Sequence, residues 1–114
     1  MKFLKQKDGF LGYDAASKVK NKVVIIPFGL EKTVSYGSGT KNAPKEIIKA
    51  SHQVELFDEE LEKEPYKTIG IKTLKPFKIK KNLKSALEQL SKINENIISK
   101  NLLPVVLGLS LIHI

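Results

Sequence analysis

The 114-residue sequence contains no cysteine, no tryptophan and no arginine. Without cysteine the chain has no disulfide scaffold, no thiolate nucleophile and no cysteine-ligated zinc site, and it suits a reducing compartment. No apolar run approaches the ~20 residues that a membrane-spanning helix needs. The amino terminus also lacks the continuous apolar core of a secretory signal. We therefore expect a cytoplasmic protein that does not associate with membranes.

The net charge of +8 comes from lysine alone, because all 20 basic residues are lysines. Proteins that read nucleic acids favour arginine, whose planar guanidinium binds phosphates and bases in a bidentate manner. The lysines are also spread along the whole chain instead of forming one stripe. We therefore do not expect nucleic acid to be a partner.

The first half of the chain predicts a strand, a loop and a helix. Lys22–Phe28 is a β-branched run of the kind that is buried on both faces of a parallel sheet. A polar loop with three glycines follows. Asn42 is a candidate N-cap, and Pro44 falls in the first helical turn, where its missing N–H is tolerated. The expected apolar face of this helix consists of Ile47, Ile48 and Ala50.

The second half predicts two weaker strands, a helix and a buried strand. Val54–Phe57 and the alternating stretch around Ile69–Lys72 suit short strands, the latter at a sheet edge. Asn82 can cap a helix, Asn101 allows a turn after it, and 102–107 reads as a buried strand. Apolar residues recur at helical spacing in this helix, at Leu83, Ala86, Leu87, Leu90, Ile93 and Ile97.

This order of elements predicts an α/β protein with helices on the faces of its sheet. In such sheets, ligands bind beyond the carboxyl ends of the strands. The two best strands end at Phe28–Gly29 and at Leu107–Gly108. We expect the functional site at these two ends.

No residue pattern defines an active site by spacing alone. The stretch Tyr36–Lys41 lacks the spacing of a phosphate-binding loop and is better read as a structural loop. His52 has no second ligand at metal-binding spacing and is expected at a helix end or on the surface. The acidic run 58–64 has the character of a solvated turn.

Two longer stretches resemble the agmatinase/arginase (ureohydrolase) family. The string VVIIPFGLEKTVSYGSGTKNAPKEIIKAS, with VELFDEEL after it, is similar to the opening of that family. Its features fall at Ile25–Gly29, Tyr36–Thr40, Ala43–Ile47 and Val54–Leu61, and FLGYD upstream also fits. Ala43 replaces the family's glycine, and Ile48 stands where many members have arginine. The resemblance implies an incomplete three-layer α/β/α arginase-like fold with a mainly parallel sheet.

The family resemblance ends abruptly at Gly108. LPVVLG resembles the strand before the family motif G-G-[DE]-H-S, whose histidine is a ligand of a two-manganese site. Leu109, Ser110 and Leu111 depart from that motif, and His113 is offset from the ligand position. The resemblance implies manganese in the full-length protein, but no metal ligand and no catalytic residue within this chain.

The resemblance also implies a division of the chain. Residues 1–108 match the N-terminal portion of a ureohydrolase domain, whereas 109–114 resembles the product of a sequencing-adapter read-through and is expected to be non-native. A natural short protein or a frameshift is the alternative. A second read of the source DNA across the Gly108 codon distinguishes these origins.

By resemblance, the full-length protein is expected to convert agmatine and water to putrescine and urea as a homo-oligomer. Another ureohydrolase activity, on arginine, formiminoglutamate or a further guanidino compound, is an alternative, as is a non-catalytic lysine-rich binding module. One loop is the candidate substrate rim or subunit contact, and it contains Tyr36, Gly37, Ser38, Gly39, Thr40 and Asn42.

We predict that the purified 114-residue chain releases no urea from agmatine when manganese is supplied. Manganese hydrolases bind their metals through carboxylates and imidazoles that converge from several strand ends, and no such set is expected here. Colorimetric urea determination checks the prediction. Manganese-dependent urea release above a heat-treated control would contradict it.

Overall fold

The computed structural model describes residues 2–12, 21–29, 42–54, 59–63 and 69–108. Its main elements are strand β1 (Asn21–Pro27), helix α1 (Ala43–Ser51), strand β2 (Gly70–Thr73), helix α2 (Leu83–Ser99) and strand β3 (Leu103–Leu107). The three described strands form one parallel sheet in the order β2-β1-β3. The predicted α/β class with a parallel sheet is therefore confirmed.

Strand β1 is the centre of the sheet. Its middle residues Val24, Ile25 and Ile26 are buried, as is Phe28 immediately after it. β-branched side chains suit this position because they pack well on a pleated surface that is covered on both faces. The sequence prediction of a strand buried on both sides is confirmed.

Helix α2 covers one face of the sheet. Alternation along β1 places Val24, Ile26 and Phe28 on the same face, and all three belong to the main core cluster. The helix contributes Ala86, Leu90 and Ile97 as buried residues, with Leu83, Leu87 and Ile93 packed beside them. The predicted apolar face of this helix is therefore confirmed.

Both ends of α2 are capped through asparagine. The Asn82 side chain accepts a hydrogen bond from the Ser85 N–H at 3.2 Å, as expected for an N-cap. Asn101 adopts a left-handed φ of 59°, and its N–H donates to the Ile98 carbonyl at 2.9 Å. The Leu102 N–H donates to the Ile97 carbonyl at 3.2 Å, which completes a Schellman motif. The chain thereby turns directly into β3.

The opposite face is covered by the amino-terminal residues together with α1. Ile25 pairs in register with Thr73 of β2, so both side chains lie on this face. The Thr73 hydroxyl accepts a hydrogen bond from the Phe10 N–H at 2.8 Å. The Ser51 hydroxyl, at the end of α1, accepts one from the Leu11 N–H at 2.8 Å.

The amino-terminal segment (residues 2–12) also covers the outer edge of β2. Phe3 forms an antiparallel bridge with Leu74, immediately after that strand. The Leu4 N–H donates to the Thr73 carbonyl at 2.8 Å, and the Lys75 N–H donates to the Lys2 carbonyl at 2.9 Å. Covering an edge satisfies backbone groups that would otherwise be open to strand addition. Sequence patterning did not predict this pairing.

Three predictions need correction. In α1 only Ile48 of the predicted apolar face is buried; Ile47 is 40% exposed and Ala50 is exposed, because Pro44 and Ser51 complete the inward face instead. Strand β3 is half-exposed and not buried, because β1 lies on one side of it and no described residue pairs with its other side. Val54 lies in an exposed bend instead of a strand, while 55–57 lie outside the described residues.

Neither α1 nor α2, the α-helices of the described part of the chain, combines the length and apolar character that a membrane crossing demands. Both present exposed polar residues along one side, as the charged residues in their sequences lead one to expect.

We predict that Asn82→Ala lowers the free energy of unfolding by about 1 kcal/mol, because the Ser85 N–H loses its capping acceptor. Asn96→Ala, an exposed position in the interior of the same helix, is the matched control and is expected to leave stability unchanged or slightly raised. Urea denaturation followed by circular dichroism measures both variants. Equal effects of the two substitutions would contradict the capping role.

Candidate functional site

Three chain segments meet at the carboxyl ends of the strands. Strands β1 and β3 run parallel and end side by side, and the Phe28 N–H donates to the Leu107 carbonyl at 2.9 Å. The first turn of α1 lies against the same end through Pro44, which is buried. The two strand ends at which we expected function are therefore neighbours.

Gly108 is the point at which these three segments touch. Its φ of +92° lies in the left-handed region, which non-glycine residues rarely adopt. A Cβ placed on it would lie 2.5 Å from Cγ of Pro44 and 3.3 Å from the Phe28 carbonyl oxygen. Glycine is required here for two independent reasons, its backbone conformation and the space left by its neighbours.

A cleft of about 540 Å³ opens beside this junction. Its floor includes Pro27 and Gly29 from the end of β1, and Asn42 and Pro44 from the start of α1. Its other walls come from α1, the amino-terminal segment and the chain after β2, through Leu4, Asp8, Lys45, Ile48, Lys49, His52, Pro76, Phe77 and Ile79. This position matches the general location of ligand sites in open α/β sheets.

One wall of the cleft depends on His52 at the carboxyl end of α1. Its Nε2 lies 2.8 Å from the Gly9 carbonyl oxygen, so this nitrogen is the protonated one when the hydrogen bond forms. The ring also lies against Gly12, where an added Cβ would lie 2.8 Å from Cδ2 of His52. The expectation of a helix-end histidine is confirmed, and the residue holds the amino-terminal segment in place.

The turn formed by residues 9–12 is held by further side chains. The Gly12 N–H donates to the Gly9 carbonyl at 3.1 Å, which closes the turn. Leu11 has a φ of 70°, an unfavourable conformation for a residue with a side chain. Its N–H is bound by the Ser51 hydroxyl, as noted above, and that hydroxyl in turn donates to the Ile48 carbonyl. These bonds maintain a backbone conformation that the sequence alone disfavours.

Of the six predicted rim residues, Asn42 lies among the described residues and the loop Tyr36–Thr40 lies outside them. Asn42 is exposed and lines the cleft. It precedes α1 with φ −92° and ψ −7°, and its side chain makes no capping hydrogen bond. The expected N-cap contact is therefore wrong, because the residue already has helical backbone angles and its side chain is left available to the cleft.

A larger cleft of about 740 Å³ lies elsewhere, between the chain that follows β2 and helix α2. Its lining includes the lysines Lys2, Lys75, Lys80 and Lys92, with Glu88 as a carboxylate. It does not include either strand end at the junction. The smaller cleft is the candidate functional site, because position relative to the strand ends is a stronger criterion than volume.

The described residues do not fit a manganese site. Among them, no group of three or more histidine, cysteine, aspartate or glutamate side chains lies close enough to bind a metal. Asp8 and His52 both line the cleft, but the Nε2 of His52 is bound to a backbone carbonyl. Hard divalent ions require several oxygen or imidazole ligands at once. We therefore derive no catalytic step through a metal from these residues.

Sequence reasoning missed Ser51, Thr73 and His52 as the residues that hold the cleft wall. Each forms one hydrogen bond to the backbone of residues 9–11, at sequence separations of 40, 63 and 43 residues. The one local signal was the pair Gly9 and Gly12, whose spacing indicates a tight turn with close neighbours.

Comparison with known proteins identifies relatives. A family model described as "Arginase family" matches residues 21–108. That range contains all the strands and both α-helices of the described chain, and it ends at the junction glycine. No solved structure matches the chain.

One curated relative is the N(1)-aminopropylagmatine ureohydrolase of Synechocystis sp.. The chain is 41% identical to it over 54 residues, which is 47% of this chain and 18% of the relative. The chain therefore spans less than a fifth of the length of the curated relative that it matches.

We predict that Gly108→Ala lowers the free energy of unfolding by about 2 kcal/mol or more, through backbone strain and the contact with Pro44. In a Pro44→Ala background the same substitution costs less, because the atoms that the new methyl group meets are gone. Urea denaturation of the two single variants and the double variant measures the coupling. Strictly additive effects would contradict the proposed contact at the junction.

Proposed function

Because the chain belongs to the arginase family, we propose that the whole protein hydrolyses a linear guanidino compound, with agmatine favoured and putrescine and urea as products. The observation that carries this proposal is the family match over 21–108, which includes the junction at Gly108.

The name of the curated relative supports a substrate of this class. That relative acts on N(1)-aminopropylagmatine, which contains the agmatine skeleton with an added aminopropyl group. N(1)-aminopropylagmatine is therefore a second substrate to test, alongside arginine and formiminoglutamate. All four carry an amidine-type carbon that water can attack, and they differ in the charge and length of the remaining chain.

The cleft lining combines apolar surface with charged side chains of both signs. Pro27, Pro44, Ile48 and Phe77 offer apolar surface to a methylene chain. Asp8 is the carboxylate among the described lining residues, and it can attract an ammonium or guanidinium group. A free carboxylate on the substrate, as in arginine, would instead favour Lys45 or Lys49.

We propose manganese as the cofactor of the whole protein and a homo-oligomer as its assembly. The described residues supply no metal site, so their contribution is geometric. Pro44 lies against Gly108 at the end of β3, and His52 and Ser51 hydrogen-bond to the backbone of Gly9 and Leu11. Rigid placement of this kind reduces the cost of orienting a substrate.

A lysine-rich binding module is the candidate from a different functional class. The larger cleft gives it a specific basis, since its lining contains Lys2, Lys75, Lys80 and Lys92. Binding to a polyanion through these lysines would weaken steeply with rising salt, because phosphate contacts release counterions. Retention of the chain on an anionic resin can be measured as the salt concentration rises. If retention falls no faster than that of a control protein of equal net charge, this candidate is contradicted.

For the agmatinase proposal, the whole protein should release urea from agmatine faster than from arginine. We predict that Asn42→Ala in that protein raises KM by about tenfold, with a smaller change in kcat, because the residue lines the cleft. Steady-state assays over a range of agmatine concentrations measure both constants. Asn96→Ala, on the exposed side of α2, is the matched control and should leave both unchanged.

Two results would contradict the proposal at different levels. Urea release from arginine but not from agmatine would overturn the substrate while retaining the family chemistry. An unchanged KM in Asn42→Ala, with normal agmatine turnover, would remove Asn42 from the substrate rim.

A further inference from the structure

The larger cleft lies on the side of the sheet away from β3. Its lining includes Lys2, Leu74 and Lys75, which belong to the covered outer edge of β2. In the sheet order β2-β1-β3, that edge is the one opposite β3. None of the described lining residues belongs to β1, β3 or α1. Pro76 and Phe77 line both clefts, so the chain after β2 is a wall that the two clefts share.

Hydrogen bonds tie the two walls of the larger cleft together. The Lys80 N–H donates to Oε1 of Gln89 on α2 at 3.1 Å, and Nε2 of Gln89 donates to the Lys78 carbonyl at 3.1 Å. The Lys75 N–H donates to the Lys2 carbonyl at 2.9 Å, which holds the amino-terminal segment against the same wall. These bonds keep the walls in one arrangement, and a site of fixed shape binds more tightly than one that binding must order.

Apolar side chains form one part of the lining. Leu74 is buried, Phe77 and Ile93 are half-buried, and Pro76 is exposed. The Phe77 ring packs against the buried Phe28 ring, with the two centroids 6.2 Å apart, so its orientation is fixed by the core. The volume of about 740 Å³ lies within the range of small-molecule sites. A flat apolar group of one or two rings therefore has a surface to contact.

Exposed lysines supply most of the charge of the lining. Lys2, Lys75, Lys80 and Lys92 line the cleft, and Glu88 is the carboxylate among the described lining residues. Ammonium groups bind phosphate and carboxylate oxygens through charge-assisted hydrogen bonds. A ligand with a single carboxylate would leave most of these lysines without an anionic partner, whereas a chain of phosphates carries several negative charges close together. The lining therefore favours an organic polyanion.

We propose that the larger cleft is a second ligand site, which binds a small organic polyanion of the nucleoside triphosphate class. The base contacts Phe77 and Pro76, and the phosphates bind the lysine ammonium groups. Stacking on an aromatic ring tolerates any base, so the site selects a class of ligand and not one nucleotide. This inference is independent of the proposed hydrolase activity. It also differs from attraction to a long polyanion, because the apolar lining contributes only when the ligand has an apolar body.

Isothermal titration calorimetry of the 114-residue chain with three probes tests the proposal. The probes are ATP, tripolyphosphate and adenosine, in a buffer free of divalent cations. We expect ATP to bind with a dissociation constant roughly tenfold or more below that of either other probe, because tripolyphosphate lacks the base and adenosine lacks the phosphates. Either of these probes binding as tightly as ATP, or ATP failing to bind, would overturn the proposal.

Two double variants with the same change of charge locate the binding. Lys80→Ala with Lys92→Ala removes two lysines from the larger cleft and should raise the dissociation constant for ATP by roughly tenfold or more. Lys45→Ala with Lys49→Ala, the matched control, removes two exposed lysines from the smaller cleft and should leave that constant nearly unchanged. Equal losses would indicate attraction to the net charge of the chain, and a larger loss in the control would place ATP in the smaller cleft. Either result would overturn the proposal.

Phe77→Leu tests the contact with the base, because it keeps an apolar side chain in the lining and removes the ring. It should weaken the binding of ATP without weakening the binding of tripolyphosphate. An unchanged affinity for ATP in this variant would show that the base does not contact Phe77, and would overturn the assignment of the ligand class.

Discussion

The close contact of Gly108 with Pro44 and Phe28 is the constraint on which the site depends. It joins the ends of β1 and β3 to the first turn of α1, and it tolerates no side chain at its centre. The two strands share a hydrogen-bonded register up to this point, and Pro27, Gly29 and Pro44 line the cleft beside it. The family match ends at the same glycine.

Sequence patterning predicted the elements whose own residue pattern is sufficient to identify them. Strand β1 is a continuous β-branched run, and α2 repeats its apolar residues at helical spacing with an asparagine at each end. In both, local preference and burial favour the same structure, so the prediction is confirmed. The location of the candidate cleft at the carboxyl end of β1 agrees with the order of elements, since ligands bind beyond the strand ends of such sheets.

Contacts between distant segments were beyond the reach of patterning. The amino-terminal segment bridges β2 at Phe3, and Ser51 and His52 bind its turn, yet none of these residues belongs to a periodic pattern. The burial of β3 was overestimated. An apolar run shows that a strand can be buried, but it does not show which neighbouring elements cover the strand. The capping role of Asn42 failed for a local reason, its helical backbone angles, and that failure leaves its side chain facing the cleft.

The most direct test of this account is a nuclear Overhauser measurement on the isotope-labelled chain in solution, aimed at the junction. The structure predicts contacts between the Gly108 α-protons and the ring protons of Pro44, because a Cβ at Gly108 would lie 2.5 and 2.7 Å from Cγ and Cδ of that proline. They should appear together with cross-strand contacts between Phe28 and Leu107. Strand contacts without any Gly108–Pro44 contact would show that α1 does not close the site, and would contradict the account.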